Sequence, residues 1–359
     1  MEITGIPTDG YEKVLRCRDE ASGLHALIAV HDTTLGPALG GMRMLPYPSE
    51  EEALFDVLRL AKGMTNKSAV ADTGLGGGKS VVIGDPAQDK SEALFRTMGR
   101  FVDSLGGKYI TAEDMNISIP DLEIVRQETR WVTGLSRKSG SSGNPSPYTA
   151  YGVVVGMRAA LLEEFGSDSF EGRHVLIQGV GAVGGRLAEM LLSKGARVTI
   201  CDISEERVAE LKQEHPEYGV VEDDVHLETE CDIYAPCARG EGINDQTIPR
   251  LRCRIVAGAA NNQLLQRRHA KDLRARGILY VPDYVINAGG IINVSCELLP
   301  DGYHEKTAFE RIERIGVALK QVFEISRTED IPTNDASLRL AERRLEAGRR
   351  QSASADLVQ

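Results

Sequence analysis

The stretch RHVLIQGVGAVGGRLAEMLLSKGARVTICD, residues 173–202, determines the fold of the second half of the chain. Its apolar run at 174–178 predicts a buried strand, which is followed by a glycine turn and by apolar residues at helical spacing. A second apolar run, 198–201, ends on Asp202. Strand, glycine turn, helix, strand and acid in this order predict a βαβ unit that binds a dinucleotide.

The residues of the turn, all predicted to contact the cofactor, are Gly179, Val180, Gly181, Ala182, Val183 and Gly184. Gly179 permits the tight turn, Gly181 lets a pyrophosphate approach the backbone, and Gly184 lets helix and strand pack closely. The amides at the start of the helix would then hold the phosphates. Asp202 is placed to accept hydrogen bonds from both ribose hydroxyls and would repel a 2′-phosphate, which predicts NAD rather than NADP.

Composition excludes several classes of protein. A chain of 359 residues can form two domains, and its net charge of −11 argues against binding to nucleic acid or to an anionic membrane surface. No apolar run approaches the roughly 20 residues of a membrane span, and the first residues lack the pattern of a signal peptide. Six cysteines without CxxC pairs predict reduced thiols in a cytoplasmic protein, with neither a disulfide framework nor a metal site.

The second informative stretch is DTGLGGGKS, residues 72–80. A phosphate-binding P-loop is excluded, because it needs a glycine six residues before the lysine, where this chain has Thr73, and a strand before the glycines. The glycines are instead predicted to leave space for a small ligand beside Lys79. A solvated lysine in a flexible turn is the alternative, and Lys67, on the other side of the same short segment, makes it less favoured.

Three further segments complete the expected first domain. Residues 13–30 predict a hairpin, and the glycine- and proline-rich residues 31–48 predict a loop or an interrupted strand in which Gly40 and Gly41 let the backbone pass close to a ligand. A strand at 108–111 leads to Glu113 and Asp114. Carboxylates at the end of a strand often line sites, although most such pairs are solvated surface.

The Ser-, Gly- and Pro-rich segment that starts at Ser136 predicts a linker. We therefore expect a first domain at 1–145, a cofactor domain at 146–325, and a C-terminal helix at 326–359 that returns to the first domain and ends in a frayed tail. Alternating strands and helices predict an α/β fold with a parallel sheet. Cys237 falls in a loop beside the expected cofactor, where no histidine is placed to activate it.

The chain also resembles a known enzyme family along nearly its whole length. The matching segments, in order, are GPALGGMRMLPY, LAKGMTNKSA, GLGGGKSVVIGDP, KYITAEDMN, GNPSPYTAYGV, QGVGAVGG, AGAANNQL and PDYVINAGGIINVSCEL. They are similar to those of the glutamate/leucine/phenylalanine/valine dehydrogenases, most closely to the leucine branch. The resemblance implies an N-terminal α/β substrate and catalytic domain, a Rossmann-type domain, and a cleft between them.

The resemblance further implies oxidative deamination of an L-amino acid to a 2-oxo acid and ammonium, with hydride transfer to NAD. In that family Lys67 would hold the substrate α-carboxylate, Lys79 would activate water, and Asp114 would exchange protons with the amino group. A lysine base needs its pKa lowered towards neutrality by burial and by a neighbouring cation, which we expect Lys67 to provide.

The remaining site residues are also implied by the resemblance. Substrate contacts are expected from Gly40, Gly41, Met64, Leu39, Ala112, Ile291 and Val294, and further cofactor contacts from Cys237, Ala238, Asn261, Asn262 and Asn287. The apolar pocket predicts leucine ahead of valine and isoleucine. Asn116, found in some aromatic-substrate relatives, keeps a phenylalanine or tryptophan dehydrogenase as the alternative, and a non-catalytic NAD-binding redox sensor is a further one. A homo-oligomer is expected, with an octamer favoured over smaller assemblies.

Overall fold

The computed structural model of the protein describes residues 1–356, of which Ser139 and residues 352–356 are described by their backbone alone. The chain forms two compact units. Unit 1 comprises residues 1–144, 294–304 and the residues from 341 onward, and unit 2 comprises residues 145–293 and 305–340. Each unit contains its own six-stranded sheet.

The sheet of unit 1 has the strand order β1-β2-β3-β5-β4-β6. Its strands are β1 (Glu2–Gly5), β2 (Lys13–Asp19), β3 (Leu24–Asp32), β4 (Ala38–Leu45), β5 (Gly76–Ile83) and β6 (Tyr109–Glu113), and its first helices are α1 (Glu50–Ala71), α2 (Glu92–Asp103) and α3 (Ile119–Arg126). Strands β1, β2, β3 and β5 pair antiparallel, whereas β4 is parallel to both β5 and β6. The expected hairpin at 13–30 is confirmed as β2 and β3.

The two faces of this sheet bury different helices. Val81 packs with Ala53 and Val57 of α1, whereas its neighbour Val82 packs with Phe95 and other residues of α2. Successive side chains of a strand point to opposite faces, so Lys79 lies on the same face as Val81, towards α1. The alternation of β5 therefore decides which helix surrounds the lysine.

Two elements of unit 1 differ from the sequence prediction. Residues 38–45, expected as a loop or an interrupted strand, form the regular strand β4 between β5 and β6. Strand β5 begins at Gly76, so that Lys79 lies inside the strand and not before it. The local glycine signal failed here because pairing with β3 and β4 holds these glycines extended, and tertiary context overrides local propensity.

The sheet of unit 2 is entirely parallel and has the strand order β12-β11-β10-β7-β8-β9. Its strands are β7 (His174–Gln178), β8 (Arg197–Cys201), β9 (Gly219–Val220), β10 (Ile233–Pro236), β11 (Ile255–Val256) and β12 (Leu279–Tyr280). The strand order reverses between β7 and β10, and ligands of such sheets bind outside the carboxyl ends of the strands at this point. The predicted α/β fold with a parallel sheet is confirmed for this unit.

The helices that follow in the chain complete both units. They are α4 (Ser146–Phe165), α5 (Gly184–Leu192), α6 (Glu205–Glu214), α7 (His269–Ala275), α8 (Asp283–Ile286), α9 (Gly289–Ser295), α10 (Glu305–Ile312), α11 (Arg314–Thr328) and α12 (Thr333–Asp356). Helix α4 has Pro145 at its N-cap position. Helix α12 continues to Asp356, and residues 357–359 of the expected frayed tail lie outside the described residues.

The boundaries of the units differ from the expected domains in two places. Residues 294–304 belong to unit 1, where the Glu297 carboxylate accepts hydrogen bonds from the amides of Gly134 and Ser142 at 3.0–3.3 Å. The start of α12 belongs to unit 2, where Thr333 donates to the Tyr280 carbonyl at 2.6 Å. These side-chain contacts between distant parts of the chain have no local sequence signal.

None of the helices within residues 1–356 is long and apolar enough to cross a membrane. All six cysteines are free thiols, as the sequence predicted.

Candidate active site

Lys79 is the more deeply buried of the two lysines predicted for the site. Only 4% of the residue is exposed, and its amine donates a hydrogen bond to the Asp114 carboxylate. Strand β5 presents the lysine towards α1, and Asp114 follows directly after the end of β6. The two predicted catalytic residues, 35 positions apart in the sequence, are therefore brought into contact by the pairing of β5, β4 and β6.

Three groups hold the Asp114 carboxylate. Besides Lys79, the backbone amide of Met115 donates to its Oδ1 at 2.6 Å, and a guanidinium nitrogen of Arg43 lies 3.4 Å from the same oxygen. Gly41 lies directly behind the carboxylate, where an added Cβ would come within 2.7 Å of the Asp114 Cβ. The carboxylate is thus fixed from several sides rather than solvated, although 22% of its side chain is exposed.

Burial lowers the pKa of the Lys79 amine to about 7, and the positive charges of Arg43 and then Lys67 add to the effect, opposed by Asp56. Desolvation penalises the charged form of an amine, and a nearby like charge does the same. The lysine can therefore lose its proton near neutral pH, as a general base must. The sequence predicted Lys67 as the neighbouring cation, but Arg43 has the larger influence.

The glycines before Lys79 are required by the protein itself. A Cβ on Gly77 would come within 2.0 Å of the Thr65 backbone nitrogen in α1, and one on Gly78 within 2.8 Å of the Tyr109 ring. A Cβ on Gly40 would meet the Gly78 carbonyl oxygen at 1.8 Å. The prediction that Gly77 and Gly78 leave space for a ligand is wrong, because backbone atoms of Thr65 and the ring of Tyr109 occupy that space. The missing side chains instead allow α1 and β4 to pack closely against β5 beside Lys79.

Lys67 lies in the last turns of α1 and is half-buried. The helix ends at Asp72, which adopts the left-handed conformation, and Arg344 of α12 donates to the carbonyls of Ala69 and Val70 at 2.9 and 2.8 Å. The bond to Val70 satisfies a carbonyl at the helix end, and the bond to Ala69 adds to the one that its carbonyl accepts from the Asp72 amide at 3.3 Å. The end of α1 that carries Lys67 is therefore fixed by a distant helix of the same unit.

Sequence reasoning missed a charged network beside this pair. Arg43 contacts the Asp56 carboxylate at 3.1 Å, and Asp56 also accepts from the Tyr47 hydroxyl at 2.7 Å and from Arg59 at 2.8 Å. A signal was present, because an arginine stands between Met42 and Met44 in a run that reads as a strand. Strand alternation places that arginine on the same face of the sheet as Lys79.

The residues expected to line the side-chain pocket are all apolar; Leu39 is buried and the others are half-buried. Leu39 is 2% exposed in β4, Ala112 is half-buried in β6, and Met64 reaches Gly40 from α1. Val294 also belongs to unit 1, whereas Ile291, one turn earlier in α9, belongs to unit 2.

Asn116 has a backbone role. Its φ of 62° lies in the left-handed region, and its side-chain amide donates to the Met44 carbonyl at 3.0 Å. Asparagine tolerates this conformation better than most residues, so the backbone by itself accounts for an asparagine here. Asn116 is therefore a poor indicator of an aromatic substrate.

In unit 2 the glycine turn has the geometry that a dinucleotide requires. Gly179 has a φ of 92°, and a Cβ on Gly184 would come within 1.9 Å of the Gly179 carbonyl oxygen. By contrast, a Cβ on Gly181 would meet only the end of Arg207, at 3.8 Å. The turn is thus packed on its inner side and open at Gly181, and Val180, Ala182 and Val183 complete it before α5. These residues fit a pyrophosphate held by backbone amides.

Asp202 follows the last residue of β8 and closes the turn. Its two carboxylate oxygens accept the amides of Val180 at 2.8 Å and Ser204 at 2.9 Å. A carboxylate oxygen can accept more than one hydrogen bond, so both can still accept ribose hydroxyls. The acid that is predicted to bind the ribose therefore also fixes the turn that would hold the phosphates.

The other expected cofactor residues lie at the carboxyl ends of β10 and β11 or in α8 and its C-cap. Asn287 donates to the Asn261 side chain at 2.7 Å and to the Ala259 carbonyl at 3.1 Å, and Asn262 is left-handed with a φ of 51°. Ala238 packs against Gly179. Burial raises the pKa of the Cys237 thiol to about 12, which agrees with the view that it is not a nucleophile.

Comparison with known proteins gives the same family throughout the chain. Residues 11–137 match the Glu/Leu/Phe/Val dehydrogenase dimerisation domain, and residues 140–205 and 199–351 match the glutamate/leucine/phenylalanine/valine dehydrogenase domain. The chain is 54% identical over 345 residues to a leucine dehydrogenase of Geobacillus stearothermophilus, covering 96% of this chain and 93% of the relative.

Two other relatives act on different substrates by name. A valine dehydrogenase of Streptomyces albus is 45% identical over 361 residues, covering 97% of this chain and 99% of the relative. The solved structure of L-tryptophan dehydrogenase from Nostoc punctiforme superposes with a TM-score of 0.86 at 43% identity, covering 95% of this chain and 97% of that one. The chain belongs to the glutamate/leucine/phenylalanine/valine dehydrogenase family.

Proposed function

We propose that the protein catalyses the reversible, NAD-dependent oxidative deamination of a branched-chain L-amino acid, leucine ahead of valine and isoleucine, to its 2-oxo acid and ammonium. The observation that carries this proposal is the contact between the buried Lys79 and the half-buried Asp114 in a chain that is 54% identical to a leucine dehydrogenase. A non-catalytic NAD-binding sensor would have no use for an ion pair of this kind.

Lys79 is the base of the proposed reaction. Its amine, with a pKa of about 7, removes a proton from the water that attacks the imino carbon of the oxidised substrate. Asp114 exchanges protons with the substrate amino group, which leaves as ammonium. When bound, NAD would serve as the acceptor of the hydride that leaves the substrate Cα. Asp202, at the end of β8, supports NAD over NADP because a 2′-phosphate would meet its negative charge.

Lys67 holds the substrate α-carboxylate in this proposal. In unit 1 the side chain of the substrate meets Leu39, Ala112, Met64 and Val294, none of which carries a charge, while Gly40 and Gly41 let the β4 backbone lie beside it. Ile291, which the resemblance also assigns to the substrate, is likewise apolar. A glutamate side chain would lose its hydration there without gaining a partner, which costs several kcal/mol. The pocket therefore favours an apolar substrate.

We also propose a homo-oligomer, with an octamer favoured. The support is the match of residues 11–137 to a family domain described as a dimerisation domain. A cytoplasmic location is proposed from the six free thiols.

An aromatic substrate is the second candidate, favoured by the likeness to L-tryptophan dehydrogenase at 43% identity. The measurement that separates the two is NAD reduction with a panel of L-amino acids, with NADP as control cofactor. We expect kcat/KM for leucine to exceed those for valine, isoleucine, phenylalanine and tryptophan. A higher value for phenylalanine or tryptophan would replace the substrate but keep the reaction class, and no turnover with any amino acid would refute the proposed function.

A further inference from the structure

Arg43 lies between two carboxylates of unit 1. One terminal nitrogen of its guanidinium lies 3.1 Å from Asp56 on α1, and the other lies 3.4 Å from Asp114 beside Lys79. Its side chain is only 16% exposed. The guanidinium therefore joins the catalytic pair to a second acid that takes no part in the proposed chemistry.

The inner nitrogen of the same guanidinium, Nε, is buried and has no hydrogen-bond partner within the described residues. A buried donor without a partner costs free energy, so each such group in a folded protein calls for an explanation. Here the two terminal nitrogens are committed to the two carboxylates, and that geometry leaves Nε turned away from both.

Asp56 is itself fixed, so it can anchor the arginine. Burial opposes its ionisation, but hydrogen bonds from Tyr47 and Arg59 and the charge of Arg43 outweigh this and lower the pKa of Asp56. The Tyr47 hydroxyl donates to the same oxygen that Arg43 contacts. The anchor is therefore a charged carboxylate with a defined orientation, supplied by the helix that also carries Lys67.

The charged groups acting on the Lys79 amine come from each element around it. Strand β4 supplies Arg43, α1 supplies Lys67 and Asp56, and the segment after β6 supplies Asp114. On the remaining side, β3 places apolar Ala29 opposite the lysine. Arg43 contacts both the proton-exchanging acid, Asp114, and the anchoring acid, Asp56.

We propose that Arg43 is a positioning residue of the catalytic pair: its guanidinium, anchored by Asp56, orients the Asp114 carboxylate beside the Lys79 amine. The charge of Arg43 in this position also favours the proton-free form of that amine. The inference rests on the proposed function of Lys79 as the base. It assigns a role to an ion pair outside the three residues that perform the chemistry.

The test removes the charge of each member of the ion pair between Arg43 and Asp56 in turn. Arg43→Met removes a positive charge and should move the acid limb of the kcat/KM profile for leucine to higher pH by on the order of one pH unit, a size expected for one nearby charge. Asp56→Asn removes a negative charge and should move the same limb to lower pH. A merely structural role would not move the two profiles in opposite directions.

Two further variants separate orientation from charge. Arg43→Lys keeps the charge but cannot donate to two carboxylates in a fixed fork, so it should retain the acid limb while kcat falls about tenfold or more. Arg59→Met removes a half-exposed cation that contacts Asp56 but not Asp114, and it should shift the limb less than Arg43→Met. If Arg43→Met does not fold, the Asp56→Asn and Arg43→Lys profiles still decide.

A second readout follows Lys79 directly. The rate of its carbamoylation by cyanate, measured on the peptide by mass spectrometry across pH, reports the proton-free amine in the enzyme without substrate. Opposite shifts in Arg43→Met and Asp56→Asn support the inference, and shifts of the same sign or none overturn it. If the pH dependence of carbamoylation shifts in these variants but the pH profile of kcat/KM does not, Arg43 acts on the Lys79 amine, and Lys79 is not the base of the reaction. If the unaltered enzyme deaminates no amino acid, only the proposed function fails.

Discussion

The two candidate sites of this protein are built from different parts of the polypeptide. The glycine turn of unit 2 consists of backbone, with six consecutive residues and one acid that closes them. The charged cluster of unit 1 consists of side chains from β4, β5, α1 and the segment after β6. A backbone site depends on glycines that no other residue can replace, whereas a side-chain site depends on burial and on neighbouring charge.

The largest effect is expected in the side-chain site. Lys79→Ala should lower kcat for leucine deamination by about 10³-fold or more, because the reaction loses its general base. NADH should still bind, since the residues that would hold it belong to unit 2, and fluorescence titration measures this. Turnover near that of the unaltered enzyme would show that the base is another group.

Two glycine substitutions in the backbone site should separate an effect on packing from an effect on cofactor binding. In Gly184→Ala the new methyl group would meet the Gly179 carbonyl at 1.9 Å, so we expect a lower thermal midpoint, with a loss of about 1–3 kcal/mol or more in the free energy of unfolding. Gly181→Ala is the matched variant, because its methyl would face only Arg207 at 3.8 Å. It should keep the midpoint and weaken NADH binding about tenfold. Equal midpoints for both variants would contradict the division of roles.

Asp202→Ala addresses both functions of one acid. Loss of its charge should reduce the preference for NAD over NADP, measured as the ratio of kcat/KM values, by about ten- to a hundredfold. Loss of the acceptor for Val180 and Ser204 should also lower the thermal midpoint, by about 1–3 kcal/mol of unfolding free energy. Equal activity with both cofactors before the substitution would mean that this acid has been misinterpreted.

Lys67→Ala should chiefly raise the KM for leucine, because it removes a contact made in the ground state as well as in the transition state. Lys62→Ala provides the control, since Lys62 is an exposed lysine on the same helix. A change in kcat alone, with KM preserved, would argue that Lys67 acts in the chemistry rather than in binding.

The smallest effect is expected from Asn116→Gly. Both residues accept the left-handed backbone, and the change removes one hydrogen bond to Met44, worth about 1 kcal/mol. The ratio of kcat/KM for leucine to that for phenylalanine should not change. A shift of that ratio by tenfold or more would restore Asn116 as a specificity residue.

The sequence by itself determined the glycine turn of unit 2 and the acid that closes it. Turn, helix start and acid lie within 24 residues, Gly179 to Asp202, so that local geometry alone brings them together. The resemblance to the family also identified Lys79 and Asp114, which the structure places in contact. The turn and its acid were predictable because they depend on residue type at fixed local spacing. Lys79 and Asp114, 35 positions apart, were predictable because each stands in a short segment that resembles the family.

Only the tertiary structure decided the surroundings of Lys79. Strand β4, expected as loop, becomes a regular strand between β5 and β6 and presents Arg43 beside Asp114. Glycines expected to make room for a ligand instead admit Thr65 and Tyr109. The pKa of a buried lysine depends on desolvation and on charges from distant elements, and strand pairing sets both.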